Sequence, residues 1–122
     1  MHLASKTLIV GLICAASAGA ADMKKAARDW KSKCASCHGA DGKGHTDQGK
    51  KMKLADLSSA SWQKANTDAK IKGVIENGAK NGDAQMDGYK DKLSAEQIDA
   101  LVSYVRSLKA SSKAAKKKAT AR

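Results

Sequence analysis

Two cysteines and a histidine within five residues constrain this chain more than any other feature. Cys34 and Cys37 are separated by two residues, and His38 follows directly. This spacing is typical of the site at which a c-type haem is attached. One helical turn or tight loop places both thiols where they can add to the two vinyl groups of a porphyrin, and His38 then lies under the iron as proximal ligand. The segment predicts one covalently attached haem c.

Three other kinds of site use the same residue types. A Cys-x-x-Cys pair supplies half of a zinc site, with His38 or His45 as further ligands, but no second cysteine pair follows it. A thioredoxin-like redox pair requires a βαβ context, and no convincing strand pattern surrounds this one. A structural disulfide suits an exported protein but gives His38 no role. These alternatives stay open beside the haem attachment site.

The sequence around the cysteines resembles the class I cytochromes c. Residues 39–44 read GADGKG, which is similar to the CHGxDGxG pattern of that family, and the resemblance extends over about residues 21–108. It implies an all-α cytochrome c fold in which three to five helices wrap around one covalently bound haem. It also implies an electron carrier, which transfers one electron at a time between larger redox partners.

The resemblance also implies a second axial ligand of the iron. Met86 lies at a suitable distance from His38, and the sequence MDGYKDKLS from Met86 onward is similar to the family's ligand loop. Asp87 stands where the family usually has proline. Met52 is the rival ligand. Trp62 is either a contact of the haem edge or an ordinary core residue.

Two filled axial positions leave no site for a substrate, which favours a carrier over an enzyme. If Met86 does not bind, the alternative is a five-coordinate haem protein that binds ligands or acts as a sensor. A further alternative is a haem subunit of a larger oxidase or dehydrogenase.

The first twenty residues are typical of a secretory signal peptide. Lys6 precedes a short apolar run, and residues 18–20 form an Ala-x-Ala cleavage site. We therefore expect residues 1–20 to be removed and the protein to reside in the periplasm. Retention of this segment as a membrane anchor is the alternative, but its apolar run is short for a bilayer.

The formal net charge is +11, and the C-terminal segment carries more than half of the excess. Residues 109–122 contain six Lys or Arg and no acidic residue. Since nothing large is available for burial there, we expect a disordered basic tail. This tail is either a solubilising extension or a source of electrostatic attraction to redox partners with acidic docking surfaces and, weakly, to anionic membranes. We expect a monomer without specific binding of nucleic acid.

Two amphipathic helices are predicted at the ends of residues 21–108. The first begins with Asp22 as N-cap and runs to about Lys33, and the resemblance places Ala26 where the terminal helices cross closely. The last begins with a capping box formed by Ser94 and Gln97. It extends through Leu108, with an apolar stripe at helical spacing formed by Ile98, Leu101, Val102, Val105 and Leu108.

Between these helices the sequence predicts loops and two shorter helices. Residues 39–57 and 81–92 are interpreted as loops, the second carrying Met86. Helices are expected at residues 60–65 and after Thr67, the latter ending at Asn77 and Gly78. The family usually has a proline whose carbonyl accepts the second N–H of the proximal histidine. This chain has none, so we expect a carbonyl within residues 55–57 to take that role.

Overall fold

The computed structural model describes residues 18–120, which are predominantly helical, as the all-α prediction requires. The elements in chain order are α1 (Ala18–Asp29), a π-helical segment (Trp30–Cys34), α2 (Ala35–His38), α3 (Asp47–Lys51), α4 (Ala60–Ala65), α5 (Asp68–Asn77), β1 (Ala79–Asn81), β2 (Ala84–Met86) and α6 (Ala95–Thr120). Residues 1–17 of the predicted signal peptide lie outside the described residues. Among residues 18–120, no helix combines the length and apolarity needed to cross a bilayer.

Helix α1 begins earlier than the sequence predicts. Asp22 is expected to be its N-cap, but the helix starts at Ala18, so Asp22 lies inside it. The segment before Asp22 is rich in alanine, the residue with the highest helix propensity, so nothing there stops the helix. Further along, Ala26 is only 1 % exposed, and α1 packs against α6. The predicted contact between the two terminal helices is confirmed.

Helix α6 supplies the largest part of the hydrophobic core. Its capping box is confirmed, because Gln97 N donates to Ser94 Oγ (3.2 Å) and Ser94 N donates to Gln97 Oε1 (3.0 Å). The predicted stripe is confirmed as well, since all five of its apolar residues are buried. The rest of the core is formed by Ala26, Trp30, Ile71, Ile75 and Leu93.

The C-terminal segment differs from the prediction of a disordered tail. Helix α6 does not end at Leu108 but continues through Thr120. Residues 109–120 consist mainly of alanine and lysine, which are strong helix formers, and contain neither glycine nor proline. Most of these side chains are exposed. Lys43 Nζ donates to Ser112 Oγ at 3.3 Å and links the start of this extension to the loop after the cysteines.

The middle of the chain matches the prediction in its helices and departs from it in its loops. Helix α4 has the predicted bounds, and Thr67 caps α5 by accepting a hydrogen bond from Lys70 N. The segment interpreted as loop 39–57 contains the short helix α3, whose N-cap is Thr46. The segment interpreted as loop 81–92 contains most of an antiparallel hairpin, in which Ala79 pairs with Met86. Met86 is therefore the last residue of a strand.

Candidate functional site

Two adjoining cavities lie beside the cysteine segment. Their volumes are about 440 and 100 Å³, and the larger one falls within the range of about 300–1,000 Å³ that is usual for small-molecule and cofactor sites. The residues that line both are Cys34, His38, Leu57, Val74 and Met86. Three of the predicted site residues therefore share one space, although Met86 is far from the other two in sequence.

The remaining predicted residues divide between the two cavities. Cys37 and Met52 line the larger cavity, whereas Trp62 lines the smaller one. Met86 borders both, and Met52 borders only the larger. Trp62 also packs against the core, so its side chain belongs to the cavity wall and the core together.

The cysteine segment is held by the core through Trp30. This residue is 4 % exposed, and its ring lies 5.8 Å from the ring of His38 and 5.5 Å from that of Tyr104 on α6. Its Nε1 donates to Gly39 O at 3.0 Å, on the far side of the histidine. The buried side chain of Trp30 thus joins the two ends of the segment that runs from Trp30 to Gly39. Through its contact with Trp30, Tyr104 links α6 to the π-helical segment.

Burial sets the protonation of the two innermost groups. It raises the pKa of the Cys34 thiol to about 11, with the nearby charge of Asp29 adding to the effect. A raised thiol pKa is the opposite of what a thioredoxin-like nucleophile requires. Burial lowers the pKa of His38, so its imidazole is neutral at pH 7, the form that binds metals. Cys34 and Cys37 do not form a disulfide with each other.

The second nitrogen of His38 has a different environment from the one the sequence predicts. Its Nδ1 is buried and has no hydrogen-bond partner among the described residues. Two of the three carbonyls considered for it are used elsewhere: Leu57 O accepts from Gln63 Nε2 (2.7 Å), and Asp56 O accepts from Ser59 N (3.2 Å). The expectation that residues 55–57 accept the imidazole N–H is therefore not met.

Met86 is placed by backbone contacts at the C-terminal end of α5. Gly78 has φ of +78°, and a Cβ atom there would overlap Met86 O. A Cβ on Gly88 would lie 2.5 Å from Glu76 O, and Tyr89 N donates to Ile75 O at 2.8 Å. The chain around Met86 thus lies so close to the end of α5 that only glycine fits at these two positions.

A side-chain hydrogen bond ties this segment to the cysteine side. Tyr89 Oη donates to Lys33 O at 3.2 Å, and both residues line the larger cavity. The carbonyl of Lys33 belongs to the π-helical segment. The sequence does not indicate this contact, although Tyr89 belongs to the segment that resembles the family's ligand loop, because the two residues are 56 positions apart and only the fold brings them together.

Gln63 and Arg106 are further residues that sequence reasoning missed. Gln63 is 7 % exposed and accepts a hydrogen bond from Arg106 Nη1 at 2.9 Å. The available signal was weak: a glutamine in a short helix and an arginine inside an otherwise clear amphipathic helix. Only the packing of α4 against α6 brings the two side chains together.

These residues fit a covalently attached haem. A flat apolar group needs apolar walls, two thiols at one edge and a neutral imidazole, and the cavities provide Cys34, Cys37 and His38 together. His38 lines both cavities, and burial keeps its imidazole in the neutral form that binds metals. Met86 offers a thioether to the same space. Such a donor set suits haem iron, whose ligands in proteins include His and Met.

Comparisons with known proteins agree with this assignment. The family model for Cytochrome c matches residues 23–109. A solved structure described as "KustC0563 c-type cytochrome" is 31% identical, covers 69% of this chain and 96% of its own chain, and has a TM-score of 0.60. No curated protein matches the chain.

Proposed function

Because the chain belongs to the cytochrome c family, whose members carry electrons through covalently bound haem c, we propose that it transfers single electrons between larger redox partners. In this proposal Cys34 and Cys37 form the thioethers, and His38 and Met86 are the axial ligands of the iron. When bound, the haem supplies the electron exchange through its iron. The observation that carries the proposal is the convergence of Cys34, His38 and Met86 on the same cavities.

Each residue has a distinct role. The thioethers hold the haem in place, and the neutral imidazole of His38 donates a basic nitrogen. The thioether of Met86 is neutral and soft, so it favours the ferrous state and raises the reduction potential. If His38 and Met86 both ligated the iron, they would leave no position for a substrate, which favours a carrier over an enzyme.

The ligation by Met86 is tested by comparing two methionine variants. We expect the oxidised wild-type protein to show the weak near-infrared sulfur-to-iron charge-transfer band, and the reduced protein to bind carbon monoxide poorly. Met86→Ala should lose the band, have a lower reduction potential and bind carbon monoxide readily. Met52→Ala is the matched control, because Met52 lines the larger cavity only.

Two results would contradict this ligation. A band that survives Met86→Ala but disappears in Met52→Ala would identify Met52 as the ligand. A wild-type protein without the band that takes up carbon monoxide quickly would be a five-coordinate haem protein instead.

The extension of α6 is the proposed contact with partners that have acidic surfaces. Lys109, Lys113, Lys116 and Lys117 follow helical spacing, so they share one face of the helix. Long-range attraction of this kind acts mainly on the association rate and is screened by salt. The extension contains no aromatic residue, which favours a protein surface over insertion into a membrane.

Removal of residues 111–122 tests the extension. The truncated protein should show a weaker salt dependence of electron transfer to an acidic partner, while its reduction potential stays close to that of the wild type. An unchanged salt dependence would contradict a docking role.

We also propose export to the periplasm with cleavage after Ala20. Lys6, the short apolar run and the Ala-x-Ala site support it. The mass of the protein purified from an exporting host should correspond to a chain that begins at Ala21 and carries one haem. A mass that includes residues 1–20 would contradict cleavage.

A further inference from the structure

A buried glutamine joins three segments that form the cavity wall. Gln63 Nε2 donates to Leu57 O at 2.7 Å and to Val105 O at 2.9 Å. Leu57 belongs to the loop before α4, and Val105 belongs to α6. Both residues line the smaller cavity, whereas Gln63 itself does not. The amide of Gln63 therefore lies behind the wall and connects two of its parts.

The guanidinium of Arg106 extends this connection to α5. Its Nη1 donates to Gln63 O (2.7 Å) and to Gln63 Oε1 (2.9 Å), and its Nη2 donates to Asn66 O (2.6 Å). Its Nε donates to the carboxylate of Asp68, the first residue of α5, at 2.7 Å. The planar fork of an arginine can bind all of these acceptors at once, which the single ammonium of a lysine cannot do.

The acceptors are the backbone and side-chain groups that fix the wall. Asn66 lines the smaller cavity together with Trp62, which directly precedes Gln63 in α4. Arg106 and Asp68 do not line it. Gln63 and Arg106 thus lie outside the cavity. Their hydrogen bonds control how closely α4, the loop at Leu57 and the start of α5 approach α6.

We propose that Gln63 and Arg106 are positioning residues for the haem, and that they set its reduction potential by keeping this wall closed to water. The proposal rests on the haem site described above. Oxidation adds one positive charge to a bound haem, and water stabilises that charge better than an apolar wall does. A wall that opens to water therefore lowers the potential, even when both axial ligands remain in place.

Two substitutions that conserve charge test the proposal in the haem-loaded protein. Gln63→Leu removes the buried amide, and Arg106→Lys keeps the charge but loses the fork. We expect both to lower the reduction potential while the sulfur-to-iron band stays as in the wild type. Hydrogen exchange should become faster in residues 57–66. Arg106→Lys is the milder change and serves if Gln63→Leu does not fold.

Two control variants separate positioning from general stability. Ile98→Val weakens the core at a residue that lines neither cavity, and Asp99→Asn removes the exposed ion pair with Lys72 (2.7 Å) that also joins α5 to α6. Ile98→Val should leave the potential unchanged, and Asp99→Asn, which removes one exposed negative charge, should not lower it.

The proposal is overturned if Gln63→Leu and Arg106→Lys lower only the denaturation midpoint, or if Ile98→Val shifts the potential equally. Absence of the sulfur-to-iron band from the wild-type protein would instead contradict ligation by Met86. The reduction potentials of the variants could still be compared with that of the wild type.

Discussion

The two sides of the cavity are held in different ways. The cysteine side is fixed by buried side chains: Trp30 packs between His38 and Tyr104, and Ala26 lets α1 approach α6 closely. The methionine side is fixed by backbone contacts, with Gly78 and Gly88 lying against the end of α5. Side-chain packing contributes much of the free energy of unfolding, whereas the backbone contacts mainly set a position. Substitutions on the cysteine side should therefore change mainly the free energy of unfolding, and substitutions on the methionine side mainly the sulfur-to-iron band.

The largest effect should follow from substituting a cysteine that attaches the haem. Cys34→Ala or Cys37→Ala, expressed in an exporting host with haem-maturation machinery, should give little or no normal holoprotein. Ser36→Ala is the matched control, because Ser36 lies between the cysteines and is exposed. The yield of haem-loaded protein is measured by absorbance. Haem that leaves the denatured wild-type protein with acidified organic solvent would disprove the thioethers.

Removal of the side chain that anchors the cysteine segment should have the next largest effect. Trp30→Ala should lower the free energy of unfolding by about 3–5 kcal/mol, since it leaves a cavity in the core. Trp30→Phe should cost less, because it loses mainly the hydrogen bond to Gly39 O. Denaturant unfolding of the haem-loaded protein measures both. A midpoint in Trp30→Ala equal to that of the wild type would show that packing does not hold this side.

Gly88→Ala adds a methyl group on the methionine side of the cavity. It should change the stability less than Trp30→Ala does, but it should have a clear spectroscopic effect. The Cβ of Gly88→Ala would meet Glu76 O and the carbonyl carbon of Asn77, so the chain must move away from α5 and take Met86 with it. We expect the sulfur-to-iron band to weaken or disappear, with less loss of stability than in Trp30→Ala.

Gly73→Ala provides the control for that substitution. Gly73 lies in the same helix α5, and its Cβ would meet no atom within 4 Å outside the backbone of that helix. It should keep the band and stabilise the protein by up to about 1 kcal/mol, the difference in helix propensity. If Gly88→Ala keeps the band as well, the backbone contacts do not position Met86.

The same contrast explains what the sequence could predict. The stripe of α6 and the Ser94 capping box were predictable, because each depends on local spacing along one helix. The cysteine segment was predictable because its chemistry is concentrated in five residues. The hairpin that carries Met86 was not predictable. Asn81, Asp83 and Gln85 are neither β-branched nor aromatic, and those are the residue types that mark strands.

The missed contacts of Gln63 and Arg106 have another cause. Hydrogen bonds across 43 residues leave no periodic pattern. The helical extension beyond Leu108 was missed because the segment has nothing to bury, although its alanines and lysines favour a helix. The environment of His38 Nδ1 was mispredicted because the orientation of the carbonyls in residues 55–57 depends on the folded loop, in which no carbonyl of the described residues reaches that nitrogen.

The contact between α1 and α6 has a consequence for the order of folding. The first described helix depends on the last one for burial of Ala26 and Trp30, so the core closes only when almost the whole chain is available. Contacts between such distant segments are slow to form, because a long loop must close first. Before α6 packs against α1, the core beside the cysteine segment stays open, so Cys34 and Cys37 remain accessible. This interval is the time in which covalent attachment meets the least steric resistance.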